Sequence, residues 1–148
     1  MIISAILVIV STGLLLWWFR YSCRLILSAP SARDYTKEVA QANELRFLEV
    51  QQDLVKVSEP RQLDSLEEKL QRDYTLLNYL LQHGPAFLAR NDRLEHRLLA
   101  LHFHLMRAWY AVNCKLSLST SRHALEEMTQ VIGYFANKMG ERCALAAK

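Results

Sequence analysis

The sequence predicts an all-α protein in which a single N-terminal transmembrane helix is followed by an antiparallel up-down four-helix bundle. Three observations support this fold class. The 148-residue chain opens with a long uncharged apolar run, and four later segments repeat apolar residues at steps of three and four. Breakers rich in Pro, Gly or Ser separate those segments, and no strand alternation is present. We therefore divide the chain into an anchor at 1–27, a linker at 28–31 and a helical bundle at 32–148.

The anchor is predicted from residues 1–19, which contain no charged side chain. A helix needs about 20 residues to cross the ~30 Å hydrocarbon core of a bilayer. Aromatic and basic side chains, which a membrane interface favours, follow at once: Trp17, Trp18, Phe19, Arg20, Tyr21 and Arg24. A cleaved signal peptide is the alternative, but its basic residues would precede the apolar run. We predict an uncleaved single-pass anchor in the lipid bilayer.

The orientation of the anchor is predicted from the positions of its basic residues. Arg20, Arg24, Arg33 and Lys37 follow the span, whereas only the initiator amine precedes it. This bias predicts an N-terminus outside and a helical domain on the cytoplasmic side, or on the matrix or stromal side in an organelle. The three cysteines are odd in number and far apart, which fits a reducing compartment.

The four bundle helices are predicted at about 32–57, 61–83, 91–117 and 121–145. The first carries helically spaced apolar residues from Val39 to Val57, and Ser58-Glu59-Pro60 ends it. The second has the most regular apolar seam, which runs from Leu63 to Leu81. The fourth has a seam from Leu125 to Met139, interrupted by glycines that cost about 1 kcal/mol each relative to Ala but also permit close helix approach.

The third bundle helix is unusual because it carries two apolar rows. The first row consists of Leu94, Leu98, Leu101, Leu105, Ala108, Val112 and Leu116. The second row consists of Leu99, Phe103, Met106 and Tyr110. A helix that is apolar on two sides is either central in a bundle or buried against a partner.

Motifs for chemistry are absent from the sequence, and we expect neither an enzyme nor a resident cofactor. There is no Gly-x-Ser-x-Gly elbow, no Gly-rich phosphate loop and no Cys-x-x-Cys pair. The histidines lack the spacing of a metal site, and His123 with Glu127 is interpreted as an ordinary surface pair. Haem held by His102 and Met106 is a minor alternative, because Met more often fills gaps in a core.

Charge predicts where the bundle meets the membrane. Residues 84–148 carry nine Lys/Arg against five Asp/Glu, a net +4, whereas residues 31–83 carry seven against ten, a net −3. An up-down topology would bring the basic residues to the membrane-facing end, where each contributes ~1 kcal/mol near anionic headgroups. The residues expected to meet the membrane there are Phe87, Leu88, Arg90, Arg93 and Arg97. A solvated basic stripe is the alternative.

The function predicted from these features is contact with other proteins. We expect an accessory, scaffolding or assembly subunit of a larger membrane complex, with the bilayer and other membrane-protein subunits as partners and with neither nucleic acid nor a small-molecule substrate. The candidate partner contacts are Phe103, Met106, Arg107, Trp109 and Tyr110, because Trp, Tyr and Arg are enriched at binding hot spots. The alternative for these residues is an internal core. The alternative functions are a membrane-tethered signalling or sensor bundle and a haem-binding electron-transfer bundle.

Overall fold

The computed structural model describes residues 1–29, 33–83, 90–114 and 116–147, and the predicted all-α class is confirmed for this part of the chain. It forms six helices there and no strand. They are α1 (Ile2–Leu27), α2 (Thr36–Ala42), α3 (Phe47–Lys56), α4 (Pro60–His83), α5 (Arg90–Asn113) and α6 (Leu118–Ala146). The chain divides into two compact units, Met1–Pro30 and Ser31–Lys148.

The first unit consists mainly of α1. With 26 residues, this helix is ~39 Å long, which exceeds the ~30 Å hydrocarbon core of a bilayer. It is long and apolar enough to cross a membrane by length and composition, a property that signal sequences and buried core helices share.

A break between α2 and α3 replaces the single helix that we predicted over 32–57. Glu44, in this break, has a φ of 52°, which a continuing right-handed helix does not allow. The backbone N–H groups of Arg46 and Phe47 donate to Asp73 Oδ2 of α4, at 2.6 and 2.7 Å. Asp73 therefore satisfies donors that the start of α3 would otherwise leave unpaired. The sequence pattern does not predict this break, because the residue that caps the start of α3 is Asp73, which lies far along the chain in α4.

The helix in the middle of the second unit is α6, which contacts α2, α3, α4 and α5. Small buried residues let several neighbours approach it: Ser121, Ala124, Ala136 and Gly140. A Cβ atom at Gly140 would lie 2.2 Å from the Cβ of Tyr35, so α2 packs against the bare backbone at this position. The close approach that we considered for the glycines of this helix is thus present at Gly140.

Contacts between side chains give the relative directions of the helices. Asn78 of α4 contacts His96 of α5 with 2.9 Å between Oδ1 and Nε2, and the Tyr110 hydroxyl donates to Asp64 Oδ1 at 2.5 Å, so α4 and α5 run antiparallel. The segment containing α2 and α3 likewise runs opposite to α6. Its pairings with α6 are Tyr35 with Asn137 and Val57 with Arg122.

Candidate functional site

The two apolar rows of α5 have different surroundings. The second row, Leu99, Phe103, Met106 and Tyr110, is buried. The first row is largely in solvent, with exposed fractions of 61% for Leu94, 56% for Leu101 and 65% for Val112. We name this surface the α5 outer face and define it by its residues: Leu94, Leu98, Leu101, Leu105, Ala108, Trp109 and Val112.

The buried row is fixed by aromatic packing and one hydrogen bond. The Phe103 ring stacks on Tyr74 of α4 with 3.9 Å between centroids, and Tyr74 also lies 6.2 Å from the Phe135 ring of α6. The Tyr110 hydroxyl bonds Asp64, and the pKa of Tyr110 is raised by burial and then by that carboxylate. α4 and α6 lie on one side of α5, and the exposed side chains Leu94, Leu101 and Val112 lie on the other.

These positions correct our assignment of the partner contacts. Phe103, Met106 and Tyr110 belong to the core of the second unit, because the space between α4 and α6 takes their bulky side chains. Arg107 points toward α4, where its Nε donates to Glu67 Oε1 at 2.6 Å. Trp109 is half exposed and is the predicted contact residue that belongs to the α5 outer face.

The borders of the α5 outer face differ in charge. Arg93 and Arg97 are exposed along one border. Glu95 is the only acidic residue that the sequence has between 93 and 113, and its Oε2 accepts a hydrogen bond from the Tyr134 hydroxyl of α6 at 2.8 Å. The Glu95 carboxylate therefore faces α6 rather than the border that carries Arg93 and Arg97.

The residues predicted to meet the membrane lie in both units and partly outside the described residues. In α1, the side chains of Trp17 and Tyr21 stack with 5.9 Å between their ring centroids. Trp17, Trp18, Tyr21 and Arg24 are exposed, and Phe19 and Arg20 are partly exposed. In the second unit, α5 begins at Arg90. Phe87 and Leu88 lie outside the described residues.

A second cluster was missed by sequence reasoning. The Glu127 carboxylate of α6 contacts two imidazoles, with 3.1 Å from Oε2 to His102 Nε2 and 3.1 Å from Oε1 to His123 Nε2. Glu127 and His102 are buried, whereas His123 is about half exposed. The predicted pairing of His123 with Glu127 is therefore present, but Glu127 is buried rather than at the surface. The signal that sequence reasoning missed is the helical spacing of Glu127. It follows Ala124 by three residues and precedes Val131 by four, and both of those residues lie on the buried side of α6.

This cluster joins α5 to α6 without the geometry of a metal site. Among the described residues, no group of three or more His, Cys, Asp or Glu side chains is arranged to hold a metal ion. His102 Nε2 faces the Glu127 carboxylate, so the nitrogen that haem would need is directed at a carboxylate. The arrangement fits a buried polar contact that fixes the register of the two helices.

A further histidine of α5, His96, contacts α6 nearer the start of the helix. The His96 ring stacks on Phe135 with 4.7 Å between centroids. The pKa of His96 is lowered by burial first and then by the positive charge of Arg142. This site therefore favours a neutral imidazole.

Comparisons with known proteins leave the α5 outer face as the main guide to function. No protein-family model, no curated protein and no solved structure matches the chain.

Proposed function

We propose that this protein is a membrane-anchored accessory or assembly subunit that acts by contact with another membrane-protein subunit through the α5 outer face. In this proposal α1 spans the bilayer, and the helices of the second unit form an up-down bundle whose first helix is broken into α2 and α3. The observation that carries the proposal is the exposure of the first apolar row of α5.

The exposed row is large enough to favour a partner. It extends over residues 94–112, which is ~27 Å along a helix. Exposed apolar patches of this extent mark interaction sites more often than single exposed side chains do. Each large apolar side chain that a partner covers completely gains about 1.5–3 kcal/mol relative to water. A partner that covers Leu94, Leu101, Leu105 and Val112 therefore has a substantial driving force.

The spacing of the row favours a helical partner. From Leu94 to Val112 the apolar residues follow at steps of four, three, four, three and four. Two helices that pack side by side use this alternation at their seam. The second apolar row of α5 is buried in the core, whereas Leu94, Leu101, Leu105 and Val112 of the first row are exposed and can contact a neighbour.

The membrane side of the proposal is supported by α1 and by the cysteines. α1 is long and apolar enough to span, and Arg20 and Arg24 follow its apolar run, which favours a cytoplasmic, matrix or stromal second unit. Among the described residues, the three cysteines form no disulfide, in keeping with a reducing compartment.

The proposal is tested by site-specific photo-crosslinking in native membranes. A photoreactive residue at position 101 or 112 is expected to give an adduct with another membrane protein, because both positions lie on the α5 outer face. The matched control is position 55, where Val55 of α3 is 78% exposed but lies outside that face. Equal adducts at 55, 101 and 112, or adducts at none of them, would contradict the proposal.

A further inference from the structure

The chemistry of the partner follows from the borders of the α5 outer face. One border adjoins α4, where the His104 ring meets the Tyr74 ring edge-on with 5.4 Å between centroids. Positions 93, 97 and 104 follow this border along the helix, and Arg93 and Arg97 are exposed there. Glu95 faces α6 instead. Among the described residues, the charged side chains along the border beside α4 are therefore basic.

On the basis of the contact role proposed above, we propose that the α5 outer face binds an amphipathic helix of another protein that carries Glu or Asp against Arg93 and Arg97. The apolar row is one strip of about 27 Å, which matches a single helix. In paired helices, charges beside the apolar seam determine which partner is accepted. Carboxylates on the partner would therefore complement the basic border and speed association.

A second copy of this chain fits the face less well, because its border carries the same sign of charge. Suppose that the apolar rows of two copies overlap completely. If the two α5 helices run antiparallel, His104 of one copy lies beside His104 of the other, and Arg97 lies beside Ala111 of the other copy. A parallel copy brings Arg97 toward the equivalent His102. Neither arrangement places a carboxylate beside Arg97, so charge complementarity favours a different chain.

An anionic membrane surface also fits less well than a helix. On the α6 side, Glu126 is about half exposed and lies 3.5 Å from His123, which contacts the Glu127 carboxylate. On the α4 side, the Glu67 carboxylate bonds Arg107. A flat lipid surface covering the face would approach these carboxylates as well as the arginines. A single helix needs to contact only the apolar row and the basic border.

The test uses the full chain in phosphatidylcholine nanodiscs and two designed helical peptides as probes. Both peptides carry Leu at the two seam positions of each heptad, and they differ only in having Glu or Lys at the flanking positions. Like charges at those positions keep each peptide from pairing with itself. Fluorescence anisotropy at low salt measures binding. We expect the Glu peptide to bind about tenfold more tightly than the Lys peptide, and salt to reduce the difference.

Variants of the chain assign the effect to the face. Arg97→Glu combined with Arg93→Glu is expected to reverse the preference, and Leu105→Glu to abolish binding of both peptides. Val55→Glu on α3 is the matched control that leaves both affinities unchanged. Equal affinities for the two peptides, or an unaltered preference in the double arginine variant, overturn the acidic-helix proposal but leave the contact role intact.

The remaining outcomes separate the other occupants. Adducts between two copies of the chain through a photoreactive residue at 105 would identify a homodimer face and overturn the proposal. The proposal would also be overturned if neither peptide binds and the photoreactive residue at 105 forms adducts with lipid in phosphatidylserine nanodiscs. If neither peptide binds and positions 101 and 112 give no protein adducts in native membranes, the contact role itself is refuted.

Discussion

At the scale of single residues, Asp73 caps the start of α3, where the chain resumes its helix after the break that follows α2. Its carboxylate is buried and accepts the N–H groups of both Arg46 and Phe47. The pKa of Asp73 is raised because burial disfavours the charged form more strongly than the two hydrogen bonds favour it. The acceptor atom is therefore what the fold needs, and the charge itself opposes burial.

Two substitutions of Asp73 are expected to differ in effect, because one keeps the acceptor and the other removes it. Asp73→Asn keeps an acceptor oxygen without the charge, so we expect the free energy of unfolding at pH 7 to stay within ~1 kcal/mol of the wild type. Asp73→Leu leaves two N–H groups at the start of α3 without an acceptor, and we expect a loss of about 2–4 kcal/mol. Thermal unfolding of the full chain in mild detergent, followed by circular dichroism, measures both. An equal loss in the two variants would show that the charge, not the acceptor, is required.

The buried pair of His102 and Glu127 marks the point where reasoning from single residues failed. Helical spacing placed Leu99, Phe103 and Met106 together in one apolar row of α5, and the structure buries that row. Helical spacing does not predict that polar residues occupy the neighbouring buried positions, because a charged side chain is buried only when a partner compensates its charge. That partner lies on another helix, so its identity depends on how α5 and α6 pack.

At the scale of elements, helical periodicity does not determine which side of a helix is buried. The helices predicted at 61–83, 91–117 and 121–145 correspond to α4, α5 and α6. Which row of α5 is buried was not decided by the sequence, because both rows are strongly apolar. The choice depends on the rings that α4 and α6 present, since Tyr74 stacks on Phe103. The resulting exposure created the candidate contact surface.

The packing of α2 on α6 gives a prediction at this scale. Ala normally stabilises a helix by about 1 kcal/mol relative to Gly. At Gly133 an added Cβ would lie 3.7 Å from Phe47 Cε2, an ordinary contact, so we expect Gly133→Ala to raise the melting temperature. At Gly140 the added Cβ would lie 2.2 Å from Tyr35 Cβ, which moves only with its backbone. Gly140→Ala is therefore expected to lower stability by ~1–3 kcal/mol. A gain at both positions would mean that α2 does not pack closely on α6.

At the scale of the whole molecule, the proposed role combines an apolar first helix with a second unit whose described residues include a largely exposed apolar row on α5. Leaving the apolar row of α5 in solvent brings no benefit to an isolated unit, because burial of that row would be favourable. Confinement to a membrane would raise the local concentration of a membrane-bound partner and so favour even a modest interface. The two features support one another only if the second unit faces the compartment where that partner lies.

The orientation that the proposed anchor gives to the second unit can therefore be tested. Cys143 of α6 is exposed, whereas Cys23 is buried and Cys114 is partly buried. We expect a membrane-impermeant maleimide to leave the full chain unlabelled in intact cells and to label it after permeabilisation, because the second unit is proposed to lie inside. Cys143→Ser is the control that removes most of the label. The chain should also resist alkaline extraction from membranes and keep its full mass, since the anchor is proposed to be uncleaved. Labelling of Cys143 in intact cells would reverse the orientation, and loss of α1 from the mature chain would identify a signal peptide instead.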